Sequence, residues 1–150
     1  MLELSLESIH GIFHAVIEPN FSIYTSSSTP VTVFLGAQPG AGKTNAQSII
    51  TGMYGSGSLM PIVGDDFRSY HPDYETLLKT NPLEMPNKTA SAAGIWTGMA
   101  VEWARENSVS CIIEGTWRNK LTVLQEVERA VNANRKTHAI LLAVPPINTV

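Results

Sequence analysis

Apolar positions along the chain fall into two alternating rhythms. Leu4, Leu6, Ile9, Ile12, Phe13, Val16 and Ile17 recur at three- and four-residue steps within residues 3–18, the spacing of a short amphipathic helix. The polar stretch Thr25-Ser26-Ser27-Ser28-Thr29-Pro30 then reads as a linker closed by a breaker. Val31–Leu35 is β-branched and apolar, as a buried strand requires, and a Gly-rich turn from Gly36 to Gly42 leads into a helix over residues 43–53. Pro61–Val63 is a second short apolar run that ends in Gly64-Asp65-Asp66. A short helix over 73–80 and a proline-containing loop from Asn81 to Asn87 follow. Ala92, Ile95, Trp96, Met99, Ala100, Trp103 and Ala104 share one face of a helix over 90–106. Val109–Ile113 is the third strand, residues 120–133 an amphipathic helix, and Ala139–Val144 a fourth strand stopped by Pro145-Pro146.

Strands alternating with helices predict an α/β fold, a parallel sheet with helices on both faces. The division expected is an N-terminal helical arm and linker over residues 1–30 and a single domain over 31–150. Composition is compatible with this. The 150 residues are 43% hydrophobic and 15% charged, which excludes a disordered chain. A net charge of −3 with ten Lys and Arg gives no basic face for a nucleic-acid backbone. No run reaches the ~18 apolar residues of a membrane span. The single cysteine, Cys111, lies in an apolar run and reads as a buried, inert thiol. With no secretory signal in view, the reducing cytoplasm is the expected compartment.

The most informative segment is Ala37-Gln38-Pro39-Gly40-Ala41-Gly42-Lys43-Thr44, which has the Walker A spacing with Ala in place of the first glycine. A strand delivers this loop to the sheet's carboxyl edge. Its glycines let backbone N–H groups curl around phosphate oxygens. Lys43 neutralises the β- and γ-phosphates, and the Thr44 hydroxyl ligates Mg²⁺. The helix opening at Lys43 adds its positive dipole end. The expected ligands are therefore ATP and Mg²⁺, held by Gln38, Pro39, Gly40, Ala41, Gly42, Lys43 and Thr44. A guanine-reading Asn-Lys-x-Asp is absent: Asn87-Lys88-Thr89-Ala90 and Asn119-Lys120-Leu121-Thr122 both lack the final aspartate.

A small-molecule kinase also needs a carboxylate to orient or deprotonate the acceptor hydroxyl. Asp65, after the second strand, is the candidate base; a helix N-cap is the alternative for the same residue. After the third strand come Glu114-Gly115-Thr116-Trp117-Arg118. There Glu114 could hold a metal-bound water or a substrate hydroxyl, and Arg118 could offset charge on the transferring phosphoryl group or a substrate diphosphate. A surface ion pair for Arg118 and a loop hydrogen bond for Thr116 are the structural alternatives. Trp96 and Trp103, seven residues apart on one helix face, read as core. His71-Pro72 reads as a cap for the following helix.

Four segments together resemble the zeta toxin family. They are Leu35–Thr44, Gly64–Tyr74 with its Asp-x-Phe-Arg and His-Pro elements, Ile113–Arg118 with Glu-Gly-Thr-x-Arg, and Ala143–Asn148. The resemblance implies ATP-dependent phosphorylation of the 3′-hydroxyl of UDP-N-acetylglucosamine by the toxin of a toxin–antitoxin system, with a small helical antitoxin as partner. It implies Lys43 on the phosphates, Thr44 on Mg²⁺ and Asp65 as general base. It also implies that Arg68, Glu114, Thr116 and Arg118 line the substrate and transfer region. Two departures accompany it. The place at which family members carry a substrate-binding glutamate falls at Gly98, with Glu102 one turn further on. The family's further strand and arginine-bearing lid would lie beyond Val150, which implies a shortened chain. Two other readings stay open, a different P-loop small-molecule kinase and an inactive nucleotide-binding remnant.

Overall fold

The computed structural model describes residues 3–37, 43–54, 58–115, 120–133 and 135–142. Its elements run α1 (Leu6–Ile12), β1 (Val31–Ala37), α2 (Lys43–Tyr54), β2 (Leu59–Val63), α3 (Tyr74–Thr80), α4 (Met85–Glu106), β3 (Ser110–Gly115), α5 (Lys120–Asn132) and β4 (Lys136–Leu142). The strands form one sheet in the order β2-β3-β1-β4. β1 pairs in parallel with β3, setting Leu35 opposite Glu114 and Gly36 opposite Gly115, and in parallel with β4, setting Ala37 opposite Leu142. Parallel pairing follows from the helical crossovers, since each strand must return to the same edge before the next begins. The chain divides into two compact units, residues 1–23 with 62–103, and 24–61 with 104–150.

In the second unit the core is built on the strands. Val31, Val33, Leu35 and Ile112 are buried together with Ile50 of α2 and Leu59 of β2, and Tyr54 packs against them. β-Branched side chains at alternate positions of β1 suit this surface, which explains why Val31-Thr32-Val33 forms a central strand.

The amino ends of these strands are tied by one side chain. Arg135 is 6% exposed. Its Nε donates to Thr32 Oγ1 at 2.7 Å, Nη1 to the Ala104 carbonyl at 3.2 Å, and Nη2 to the carbonyls of Val31, at 3.2 Å, and Val109. A planar guanidinium with five N–H donors can serve several carbonyls at once, which a lysine cannot. Burial pushes its pKa below the ordinary value, and burial likewise raises that of the neighbouring Cys111 thiol, whose Sγ lies 3.8 Å from Nη2.

In the first unit, Ser5 caps α1 by accepting the Ser8 N–H at 3.1 Å. The helical path continues beyond the predicted end at residue 18, through a single π turn at Phe13–Ile17 and a 3₁₀ segment at Glu18–Ile23. Its buried face carries Ile9, Phe13, Ile17 and Phe21. Trp96 is fully buried, and its indole N–H donates to the Ile9 carbonyl at 2.8 Å. Trp103 stacks at a tilt on Phe21 with ring centroids 5.0 Å apart. Both tryptophans thus pack in the interior face, as their spacing predicts.

Three boundaries differ from the sequence reading. α4 starts at Met85, so the predicted loop over 81–87 is helical in its last part; Pro86 lies in the first turn, where a missing N–H costs nothing. β4 starts at Lys136, three residues before the expected Ala139. It lies at the edge of the sheet among the described residues, and Lys136 and His138 stand exposed. The expected linker over 25–30 is pinned by an antiparallel bridge between Ser26 and Val109 and by Ser27 N–H donating to the Ser108 carbonyl at 2.8 Å. Ser108 has φ 54°, and Val109 N–H reaches back to the Ala104 carbonyl at 2.9 Å, so α4 ends in a Schellman turn without glycine.

Candidate functional site

The phosphate-loop candidate is framed by the second unit. β1 runs through Ala37 and α2 opens at Lys43, so Gln38, Pro39, Gly40, Ala41 and Gly42 join the carboxyl end of a central strand to the first turn of a 12-residue helix. That first turn leaves backbone N–H groups without intrahelical partners, and the helix dipole places positive potential there. Lys43 and Thr44 are the first two residues of α2. Gln38–Gly42 lie outside the described residues. The strand–loop–helix order is the one that phosphate binding by this spacing requires.

Beside it, β3 carries Glu114 in register with Leu35, two positions before Ala37. Glu114 is half-buried. In a parallel sheet the carboxyl ends of neighbouring strands share an edge, so Glu114 and the start of the phosphate loop belong to the same edge of the second unit. Thr116, Trp117 and Arg118, which continue from β3, lie outside the described residues, as do Ala143–Asn148 after β4.

Asp65 and Arg68 belong to the first unit. Both lie on the 3₁₀ segment Gly64–Tyr70, which begins directly after β2. The N-cap of that segment is Val63, and no side chain caps it. The capping alternative for Asp65 is thereby removed. Its carboxylate instead meets Arg68 Nη1 at 3.1 Å, with the Asp65 side chain 74% and the Arg68 side chain 27% exposed. An ion pair this open contributes little stability, on the order of 0–1 kcal/mol, so it leaves Asp65 available to other partners. Arg68 Nε is buried without a hydrogen-bond partner, the one such side-chain nitrogen or oxygen among the described residues. A three-residue step within a helical turn is the signal that pairs these side chains, and the sequence reading used each separately. Phe67 between them is buried and anchors the segment.

His71 follows. Its Nδ1 accepts the backbone N–H of Asp73, the N-cap residue of α3, at 3.0 Å, and its carbonyl accepts the Tyr74 N–H, the first of the helix, at 3.0 Å, so the expected capping comes from the main chain. Gly98 stands on an exposed face of α4, and a Cβ there would meet nothing within 4 Å. No cluster of three or more His, Cys, Asp or Glu suited to a metal ion occurs among the described residues. No helix among them is long and apolar enough to cross a membrane.

Comparison with known proteins places this arrangement. The zeta toxin family model matches residues 16–148. The toxin zeta of Enterococcus hirae is 26% identical over 149 residues, covering 94% of this chain and 52% of its own length. The toxin PezT of Streptococcus pneumoniae is 30% identical over 121 residues, 81% of this chain and 47% of its own. The chain thus spans about half the length of the curated relatives it matches. Among solved structures, one from the PezAT chromosomal toxin–antitoxin system of Streptococcus pneumoniae superposes with a TM-score of 0.87 at 25% identity, over 96% of this chain and 60% of that one. A candidate kinase from Chloroflexus aurantiacus shares the fold, with a TM-score of 0.54 at 20% identity over 76% of this chain and 59% of that one.

Proposed function

The chain belongs to the zeta toxin family, and on that premise we propose that it binds ATP with Mg²⁺ and transfers the γ-phosphoryl group to a hydroxyl of a sugar nucleotide such as UDP-N-acetylglucosamine. The observation that carries this reading is the passage from β1, ending at Ala37, to α2, beginning at Lys43, with a Walker A sequence between. On this reading the backbone N–H groups of Gln38, Gly40, Ala41 and Gly42 would donate to the phosphates, with Pro39 holding the turn, and the Lys43 ammonium would neutralise the β- and γ-oxygens. The Thr44 hydroxyl would hold Mg²⁺, which would supply charge neutralisation during transfer.

Asp65 accepts the proton of the attacking hydroxyl. In the resting chain Arg68 holds its carboxylate at 3.1 Å, which keeps that carboxylate oriented. Arg68 then serves the acceptor once substrate enters. Glu114, Thr116 and Arg118 orient the acceptor and offset charge on the moving phosphoryl group. These side chains act as positioners and charge stabilisers, since phosphoryl transfer asks for little covalent chemistry from the protein.

The same reading makes the chain, or the protein it belongs to, the toxin of a toxin–antitoxin pair acting on a cytoplasmic sugar-nucleotide pool, with a small helical antitoxin as partner. It takes residues 31–150 as the kinase domain and 1–30 as its arm. One observation favours a second acceptor class: Gly98 offers no carboxylate where the family resemblance implies one. A different small hydroxyl compound is then the substrate.

The test is incubation with γ-labelled ATP, Mg²⁺ and a panel of UDP-sugars and nucleosides. Label should pass to UDP-N-acetylglucosamine, and Asp65→Asn should abolish transfer while ATP affinity is retained. Transfer only to another acceptor selects the second class. Loss of ATP binding in Asp65→Asn would make Asp65 a structural or metal-site residue, and retained transfer would remove it from the chemistry.

A further inference from the structure

The first unit contains a cavity of about 270 Å³ that the kinase reading does not use. Its lining comes from the N-terminal segment, His71 and the start of α4. Ile9 and Ala92 are buried and apolar. Glu3, Glu84 and Lys88, all exposed, bring charge of both signs.

His71 is the polar group buried in this wall, 6% exposed. Its Nδ1 accepts the Asp73 N–H at 3.0 Å, so the neutral ring carries its proton on Nε2. The Asp73 carboxylate, 3.9 Å from the same Nδ1, is too far to reverse that assignment by accepting from it. Among the described residues no partner pairs with Nε2. His71 is a lining residue of this cavity, and Nε2–H is the donor its ring has left to offer. A buried donor of this kind is pre-organised for an acceptor on a ligand.

The mixture of charge narrows the ligand. A simple anion would suit His71 and Lys88 but meet Glu3 and Glu84. A simple cation would suit the two glutamates but meet Lys88 and the His71 N–H. An apolar molecule would leave the buried donor without an acceptor. The volume lies below the roughly 300–1,000 Å³ typical of drug-sized ligands.

We propose that this cavity binds a small zwitterion of the free α-amino acid class. Its carboxylate sits on His71 Nε2–H and the Lys88 ammonium, and its ammonium faces Glu84 and Glu3. The proposal is independent of the kinase reading, because it needs neither nucleotide nor phosphoryl transfer.

The experiment is calorimetric titration of the full chain, without nucleotide, with individual L-amino acids and with acetate and methylammonium as half-ligand probes. One amino acid or a chemically related subset should bind saturably, with acetate and methylammonium far weaker. The exposed-site variants Lys88→Gln and Glu84→Gln should each weaken binding about tenfold, as loss of one charge-assisted contact does. His71→Asn keeps an acceptor for the Asp73 N–H, but its amide N–H stops short of the place Nε2 holds, and it should abolish binding; His71→Gln, whose amide N–H reaches further, should restore part of it. Should His71→Asn fail to fold, the two rim variants and His71→Gln still decide. Absence of binding by every amino acid, acetate binding as tight as any amino acid, or rim variants with unchanged affinity would overturn the assignment.

Discussion

Replacing Arg135 by alanine should remove a large share of the chain's stability, although the residue lies at the amino edge of the sheet, away from the phosphate loop. The side chain is 6% exposed and serves four oxygens: Thr32 Oγ1 and the carbonyls of Val31, Ala104 and Val109. The Ala104 carbonyl keeps a second partner, the Val109 N–H at 2.9 Å. Three buried acceptors therefore lose a donor. Each stripped acceptor costs about 1–3 kcal/mol, and neighbours in one network do not add fully. Water entering the vacated space recovers part, which leaves a loss of about 3–5 kcal/mol, in line with breaking one side of a buried charged network. Against a total of about 5–15 kcal/mol for ordinary domains, this is severe. Urea unfolding near neutral pH, followed by tryptophan fluorescence, reads it directly. Arg135→Met should cost nearly as much, because it fills volume without donating. Arg135→Lys should recover only part, since one ammonium cannot reach four oxygens in a planar fan. A loss under about 1 kcal/mol for Arg135→Ala, or full recovery by lysine, would refute the idea that multivalent donation holds the strand ends.

Ser108→Gly should stabilise the chain by about 0.5–1 kcal/mol, because the φ of 54° at the end of α4 suits glycine and strains serine; Ser108→Ala, measured by the same unfolding midpoint, should give no gain. For Cys111, burial holds the thiol pKa above its ordinary value, with Arg135 and a hydrogen bond from Thr32 partly opposing. The folded state then keeps the thiol proton longer than the unfolded state. The associated stability is fully present below the ordinary thiol value of about 8.5 and is lost as pH rises through the raised folded value. Cys111→Ala should flatten part of the alkaline decline in unfolding free energy. An unchanged decline would assign it to other groups.

Much of this architecture was legible because local and global preferences agree. Val31–Leu35 could be only a buried strand, and the three- and four-residue steps from Ala92 to Ala104 only a buried helix face. The misplaced boundaries have a common physical source, which is that neighbours in the fold override local composition. Pro86 reads as a breaker in isolation, but it occupies the first turn of α4, where proline fits. Lys136 and His138 lie before the expected strand because they are polar, but a strand at the edge of the described sheet tolerates polar side chains. Arg135 was invisible as a structural residue because an arginine just after a helix has the usual look of a solvated charge. Its partners are 24 to 104 positions away. At the candidate site, spacing found the strand–loop–helix frame and placed Asp65 just after β2. It did not reveal that Asp65 pairs with Arg68 or that Val63 holds the cap position.

The account depends most on nucleotide binding at the loop between β1 and α2. Titration of the chain with ATP and Mg²⁺, monitored by calorimetry beside Lys43→Ala, tests it most directly. Saturable binding at one site should be seen, weakened about a hundredfold or more in the variant by loss of the ammonium from the β- and γ-phosphates. Equal affinity in the two proteins, or no binding by the parent chain while its fold is intact, would contradict it.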